Sequence, residues 1–283
     1  MASSKPALSS SSPADDASFD VQRMALYNLE RAQRTIDALA DKELWVPEDT
    51  ASVDCMHYLG DEAIAHCAET LRIRPGDSVL DIGSGFNATG RYLNRHYGAE
   101  VTGVELQTSI HAMGETITRR NGQSAQVRGV NANFIMAPQT VIAAGSVEHI
   151  VSFLCILHIP QRHDLFLRAA QTLKPNGRLY IEDFYARRDP LPEQDAAALR
   201  DVVSCPYLPS QETYQQDLEK AGFVDIQFED VSDAWASFVS SRAGAYRASA
   251  DPEPSLDTFY TTINDLFSRG NLGGVRISAR RPA

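Results

Sequence analysis

The stretch Val79-Leu80-Asp81-Ile82-Gly83-Ser84-Gly85-Phe86-Asn87-Ala88-Thr89-Gly90 constrains this chain more than any other. A short apolar run ends in an acid and a glycine, the pattern of a buried strand meeting a turn. The segment ATGRYLNRHYG follows at once and reads as a helix with Gly98 as its C-cap. Gly83 and Gly85 fall in the strand-to-helix turn, where the missing Cβ lets a ligand approach the backbone.

The same alternation continues on both sides of that turn. Helical periodicity begins near Val21 and runs through MALYNLERAQRTIDALA, and DEAIAHCAETLRI repeats apolar positions at Ile64, Cys67, Ala68 and Leu71. Beyond the turn come strand EVTGVEL, a helix around Ser109–Asn121, strand AQVRGV and a loop with some helix. Strand HIVSFLCIL, helix QRHDLFLRAAQTL, the turn KPNG and strand RLYIEDF follow. Strands and helices alternating in this way imply right-handed βαβ units and a parallel sheet covered on both faces.

After Phe184 the pattern loosens into ARRDPLPEQDAAALRDVVSCPYLP, rich in proline with one helix-like patch. A helix SQETYQQDLEKAG, a strand FVDIQFEDV, one or two helices to about Arg269 and a last strand GGVRISARR complete the chain. The expected layout is a Ser-rich disordered tail over 1–20 and one domain over 21–283. Within that domain we expect a helical cap at 21–75, a ligand-binding core at 76–184, and a lid with the final strands at 185–283.

Composition narrows the function classes. With 43% hydrophobic and 22% charged residues the chain has an ordinary soluble profile, and no apolar run approaches the roughly 18–20 residues of a membrane span. A formal net charge of -11 disfavours a long nucleic-acid surface, which takes clustered Lys and Arg. Cys55, Cys67, Cys155 and Cys205 form no CxxC pair and no metal spacing, so no metal is expected and reduced cytosolic thiols are. The Ser-rich start leaves organelle import as a lesser alternative to the cytoplasm. Oligomeric state has no signature in the sequence.

About twenty residues after the glycines, strand EVTGVEL ends in Glu105, placed to accept hydrogen bonds from two ribose hydroxyls. The pattern Gly83-Ser84-Gly85-Phe86-Asn87-Ala88 also fits a dinucleotide fingerprint, so NAD stays open on these residues alone. Asp81 tilts the choice. A carboxylate before the glycines can reach the turn's amides or a ligand ammonium, and it repels a pyrophosphate.

At this point the chain resembles the class I S-adenosylmethionine-dependent methyltransferases, whose first motif is an acid followed by GxGxG, with Asn87 here at the third glycine. Three further stretches narrow the resemblance: Asp54-Cys55-Met56-His57-Tyr58-Leu59-Gly60, Ile156-Leu157-His158-Ile159-Pro160, and Leu173-Lys174-Pro175-Asn176-Gly177 running on to Phe184. Together they look like the sarcosine/dimethylglycine and phosphoethanolamine N-methyltransferase-like group, over roughly Ser52 to Val231.

The resemblance implies a Rossmann-like α/β fold with a mostly parallel twisted sheet, helices on both faces, an N-terminal helical cap and an inserted lid. It implies S-adenosylmethionine as cofactor, S-adenosylhomocysteine as product, and a small molecule as acceptor, most simply an amine or amino-acid nitrogen. O- or C-methylation of a small metabolite, or a catalytically silent cofactor-binding protein, are the alternatives. The implied cofactor residues are Tyr58, Asp81, Gly83, Ser84, Gly85, Asn87, Glu105, Leu106 and Gln107, with adenine near Asn131 and Ala132.

The implied catalytic residues are His158 and Tyr58. His158, past the carboxyl end of a parallel strand, carries an unperturbed pKa of roughly 6.5, suited to orienting or deprotonating an acceptor near neutrality. The group's acid shortly before this His stands as Leu154 here. Glu182 and Asp183 are expected at a strand end on the same edge, either as functional acids or as a solvated pair. Arg187 and Arg188 read first as a solvated loop, with binding of a substrate carboxylate or phosphate as the alternative.

Overall fold

The computed structural model describes residues 29–54 and 57–283. The expected tail over 1–20, the start of the first helix at Val21, and Cys55 and Met56 lie outside the described residues. The chain opens with α1 (Leu29–Ala38), α2 (Pro47–Asp54) and α3 (Gly60–Leu71), then β1 (Ser78–Ile82), α4 (Ala88–Tyr97), β2 (Glu100–Glu105), α5 (Thr108–Arg120) and β3 (Val127–Asn131). Next come β4 (Val147–Phe153), a 3₁₀ turn (Ile156–His158), α6 (Arg162–Thr172) and β5 (Leu173–Ala186). The last part holds α7 (Glu193–Val202), α8 (Gln211–Lys220), β6 (Val224–Asp230), α9 (Ser232–Arg247), α10 (Pro254–Ser268) and β7 (Leu272–Arg280).

The strands form one seven-stranded sheet in the order β3-β2-β1-β4-β5-β7-β6, with only β7 antiparallel to its neighbours. The chain winds outward from β1 to β3, then returns to place β4 on the other side of β1. That reversal opens a crevice beyond the carboxyl ends of β1 and β4, where open α/β sheets bind ligands. The rule puts the Gly83 turn and the 3₁₀ turn on the same edge.

Alternation along the strands fixes what faces each side. Val79, Val151 and Tyr180 pack with Ala63, Ile64, Cys67 and Leu71 of α3, and with Leu93 of α4. Leu80, Ile150, Leu179 and Ile181 point the other way, against Leu165 and Phe166 of α6 and Leu218 of α8. Each fully buried aliphatic side chain of this kind contributes about 1.5–3 kcal/mol of transfer free energy.

α1 and α2 dock on α5 beside the glycine turn. Trp45, between them, packs with Phe86, Ile110 and Ile117, and its indole N–H donates to the carbonyls of Leu39 and Lys42. α9 and α10 build a separate apolar cluster with Tyr58, Leu157, Phe184 and α7, against β7.

The structure departs from the sequence reading in several places. β4 stops at Phe153 rather than running through Leu157, because Leu154 takes a left-handed φ of 48° and the chain turns. β5 runs from Leu173 through Ala186, so KPNG is a kink inside a strand, with Asn176 at φ 64° and a register shift against β4. Glu182 and Asp183 are therefore mid-strand, buried on opposite faces, and not a solvated pair. The loop after β3 forms turns instead of the expected partial helix.

Candidate active site

The glycine turn is built by sterics from three sides. Gly83 has φ 74°, and a Cβ there would lie 2.1 Å from the Cys155 sulfur, so the turn seats against the loop after β4. Gly103, mid-strand in β2, is required because a Cβ would meet the Asn87 side-chain oxygen at 2.1 Å and the Ser84 hydroxyl at 2.6 Å. Asn87 takes φ 63°, a conformation that asparagine tolerates better than most residues. Its side chain is buried under the turn, donating to Glu115 at 3.3 Å, which makes it a support for the turn.

Arg91, one helical turn later, is also buried. It donates to the Phe86 carbonyl and to Thr118 Oγ1 at 3.0 Å, and pairs with Asp54 at the end of α2. One guanidinium thus ties the glycine turn to α5 and to α2.

Glu105 ends β2 with its carboxylate against the turn. Oε2 accepts from the Gly85 amide at 3.0 Å and Oε1 from the Gln107 amide at 2.8 Å. A carboxylate has about four acceptor sites, so capacity remains for two hydroxyls. Burial raises the Glu105 pKa above its ordinary value, opposed by these amides. Asp81, one strand over, is pushed up to about 7 by burial and then by the Glu105 charge.

Among the described residues Asp81 faces no cation within salt-bridge distance. Two buried acids beside a positive-φ glycine turn form a receptor for a group that is both cationic and rich in hydroxyls. S-adenosylmethionine, with an ammonium, a sulfonium and a ribose diol, fits that pair of acceptors.

The other expected cofactor contacts divide. Ser84 is nearly buried, and its hydroxyl has no hydrogen-bond partner among the described residues. Leu106 is 49% exposed beside Glu105, a surface suited to an apolar ring face. The Asn131 carboxamide donates to the carbonyls of Glu105 and Leu106 and accepts from Thr108, so it braces the end of β2. The Ala132 amide is bound to the Glu105 carbonyl at 3.0 Å.

His158 closes the 3₁₀ turn on the same edge. Its Nδ1 lies 2.8 Å from the Ser204 carbonyl, which makes Nδ1–H the donor and Nε2 the acceptor nitrogen. Burial lowers its pKa to about 4, with Arg162 acting in the same direction and the Ser204 carbonyl opposing. The value of roughly 6.5 expected from sequence is thus displaced by desolvation.

Beneath the turn, Asp183 accepts the amides of Leu157 and Phe184, with Tyr214 Oη at 3.4 Å and Arg162 Nη1 at 3.9 Å. Burial nevertheless holds the Asp183 pKa up, at about 6. The sequence reading missed this Asp183–Arg162–Tyr214 cluster, whose members lie far apart in the chain. Leu154, where the resemblance led one to expect an acid, turns the backbone. Asp183 from the next strand anchors the turn instead.

Tyr58 is buried between Trp235, Phe184 and Phe238, with centroid separations of 4.8, 5.9 and 5.4 Å. Burial pushes its hydroxyl up to about 12, so it is neutral at physiological pH. Leu157, beside His158 in the chain, belongs to the same apolar cluster. His57 stacks on Phe153 at 4.9 Å, a packing role. Arg187 and Arg188 are exposed. Among the described residues no group of three His, Cys, Asp or Glu side chains is placed to hold a metal, and no helix is long and apolar enough to cross a membrane.

Comparisons with known proteins point the same way as the geometry. The chain is 30% identical over 226 residues to a phosphoethanolamine N-methyltransferase of Triticum aestivum, covering 77% of this chain and 43% of that one. It is 27% identical over 173 residues to a glycine/sarcosine/dimethylglycine N-methyltransferase of Actinopolyspora halophila, covering 61% and 30% of the two chains. The chain thus spans less than half the length of these relatives. Its fold matches the structure of Haemonchus contortus phosphoethanolamine N-methyltransferase 2 with a TM-score of 0.70 at 20% identity, over 80% of this chain and 53% of that one. The family described as a methyltransferase domain matches residues 55–227, and the chain belongs to that family.

Proposed function

We propose that this chain transfers a methyl group from S-adenosylmethionine to the nitrogen of a small amine or amino acid. The observation that carries the reading is the buried Asp81 and Glu105 pair beside the Gly83 turn, on the sheet edge where the strand order reverses. A dinucleotide pyrophosphate would bring negative charge to an acid that burial already disfavours in its ionised form. A sulfonium cofactor brings positive charge to it.

When bound, S-adenosylmethionine supplies an electrophilic methyl carbon. The chain's own residues hold and orient. Glu105 takes the ribose hydroxyls, and Asp81 with the turn amides takes the amino-acid end. The acceptor must present a neutral nitrogen, because an ammonium has no lone pair. His158, neutral and held through Nδ1 by the Ser204 carbonyl, orients the attacking amine.

A histidine with a pKa near 4 is a weak base at neutral pH, so its main work is alignment of the attacking lone pair. Tyr58, kept neutral by the same burial, supplies a further polar atom in an apolar wall. Names of relatives supply the amine class: two curated neighbours are N-methyltransferases of phosphoethanolamine and of glycine, sarcosine and dimethylglycine. The test is methyl transfer from labelled S-adenosylmethionine to a panel of small amines, amino acids and hydroxylated metabolites. Turnover confined to the hydroxylated compounds would overturn the nitrogen assignment.

A further inference from the structure

Arg162 opens α6 just after the His158 turn, and its side chain is 3% exposed. Its guanidinium is shared among three parts of the fold. Nη1 donates to Tyr214 Oη of α8 at 3.1 Å and lies 3.9 Å from the Asp183 carboxylate of β5. Nη2 donates to the Tyr207 carbonyl, in the loop between α7 and α8, at 3.4 Å. The Tyr214 ring lies under the fork at 5.2 Å. Nε is buried and makes no hydrogen bond among the described residues.

Two of those partners bear on His158. Asp183 accepts the amide of Leu157, its neighbour in the chain. Tyr207 belongs to the loop that brings the Ser204 carbonyl to 2.8 Å from His158 Nδ1. Ser204 itself takes a left-handed φ of 55°, a conformation that a serine keeps only where its surroundings hold it. The start of the loop is tied back to α7, Cys205 N–H donating to the Leu199 carbonyl at 2.9 Å. Its end is tied to β5, where the Ala186 amide donates to the Pro209 carbonyl at 2.8 Å. Arg162 grips the middle, from α6.

Packing alone does not call for a charge there. An ion pair this long recovers little of the desolvation of a buried guanidinium, and an apolar residue of like volume fills the space without that penalty. What the planar fork adds is hydrogen bonds whose directions are fixed relative to one another.

We propose that Arg162 is a positioning residue for the methyl transfer: it holds the Asp183-anchored turn and the Ser204 loop in one register, and so fixes which nitrogen of His158 carries the proton. A carbonyl accepts only from Nδ1–H, which leaves Nε2 unprotonated in the neutral ring. A loop released from Arg162 lets both neutral tautomers form, and the ring loses the single state that orients an amine. The inference rests on the methyltransferase reading of this site, but the state of the ring is read without any acceptor.

The test is ¹⁵N NMR of the imidazole rings in the full chain near neutral pH, the His158 signals being assigned by their loss in His158→Ala. Wild type should show one protonated Nδ1 and one unprotonated Nε2. In Arg162→Gln the two shifts should converge as the tautomers exchange. Arg162→Lys keeps the charge, but a single ammonium cannot span Asp183, Tyr214 and the Tyr207 carbonyl, so its shifts should fall between the two.

Thermal stability is measured on the same samples. Reduced stability with wild-type ring shifts in Arg162→Gln would make Arg162 a packing residue and overturn the proposal, as would mixed tautomers in the wild type. Should Arg162→Gln not fold, Arg162→Lys decides: converging shifts support the proposal and wild-type shifts overturn it. Calorimetry with S-adenosylhomocysteine separates the two readings. Failure of the wild type to bind it counts against the methyltransferase reading, while the ring shifts still decide the role of Arg162.

Discussion

His158 Nδ1 and the Ser204 carbonyl oxygen, 46 residues apart in sequence, lie 2.8 Å from each other, so the segment after α7 sets the orientation of the imidazole. This contact aims the ring of a histidine that burial keeps neutral. It also decides the role expected of the ring, since the upward pull of the carbonyl on its pKa is outweighed by burial.

For His158→Ala we expect KM for the acceptor to rise more than kcat falls. Loss of alignment costs catalysis without removing a proton carrier, and cofactor affinity should stay unchanged. The pH profile should keep its shape, because a pKa of about 4 puts the titration of His158 below the working range. Disappearance of a kinetic pKa near 6–7 in the variant would show that His158 acts as a base instead.

Asp183→Asn should loosen the turn that carries His158. The carboxylate accepts the Leu157 and Phe184 amides, and an amide in its place leaves a buried group mismatched, at a cost of about 1–3 kcal/mol. Stability should fall by that amount and KM for the acceptor should rise, while binding of S-adenosylhomocysteine holds. A KM equal to wild type, with stability alone reduced, would make Asp183 a packing residue.

Cofactor binding should release a proton near neutrality. The native pKa of Asp81 is raised to about 7, so the free protein holds a proton there at pH below 7. The raised native pKa favours the native state at low pH, and that contribution is lost as pH rises through about 7. A cationic ligand reverses the preference by stabilising the ionised form. Affinity for S-adenosylmethionine should therefore increase from pH 6 to pH 8, with uptake by the buffer visible as a dependence of binding heat on buffer ionisation enthalpy. A pH-independent affinity with no proton release would contradict this placement of Asp81.

Much of the fold was legible because the signals are local. The glycine turn, the acid ending EVTGVEL and the alternation of strand and helix give the sheet and the switch point directly. Gly103 was also legible in principle, since a glycine inside a strand marks a close approach, here of Ser84 and Asn87. The end of β4 was not, because Leu154 adopts φ 48° against its own preference and only tertiary packing enforces that.

The acceptor side was the least legible. Ser204 contributes a backbone carbonyl, which leaves no trace in residue type. Asp183, Arg162 and Tyr214 come from β5, α6 and α8, and no spacing along the chain announces that they meet.

Glu105 and the Gly85 amide, 3.0 Å apart, stand at the centre of the account, and calorimetry of cofactor binding tests it most directly. Wild-type protein should bind S-adenosylmethionine and S-adenosylhomocysteine with dissociation constants on the order of micromolar, about -8 kcal/mol, and bind NAD far more weakly. Glu105→Ala should weaken both nucleosides by about 1.5–3 kcal/mol, the range for a hydrogen bond to a charged group, with the fold retained. NAD binding without a response to S-adenosylmethionine, or an unchanged dissociation constant in Glu105→Ala, would contradict it.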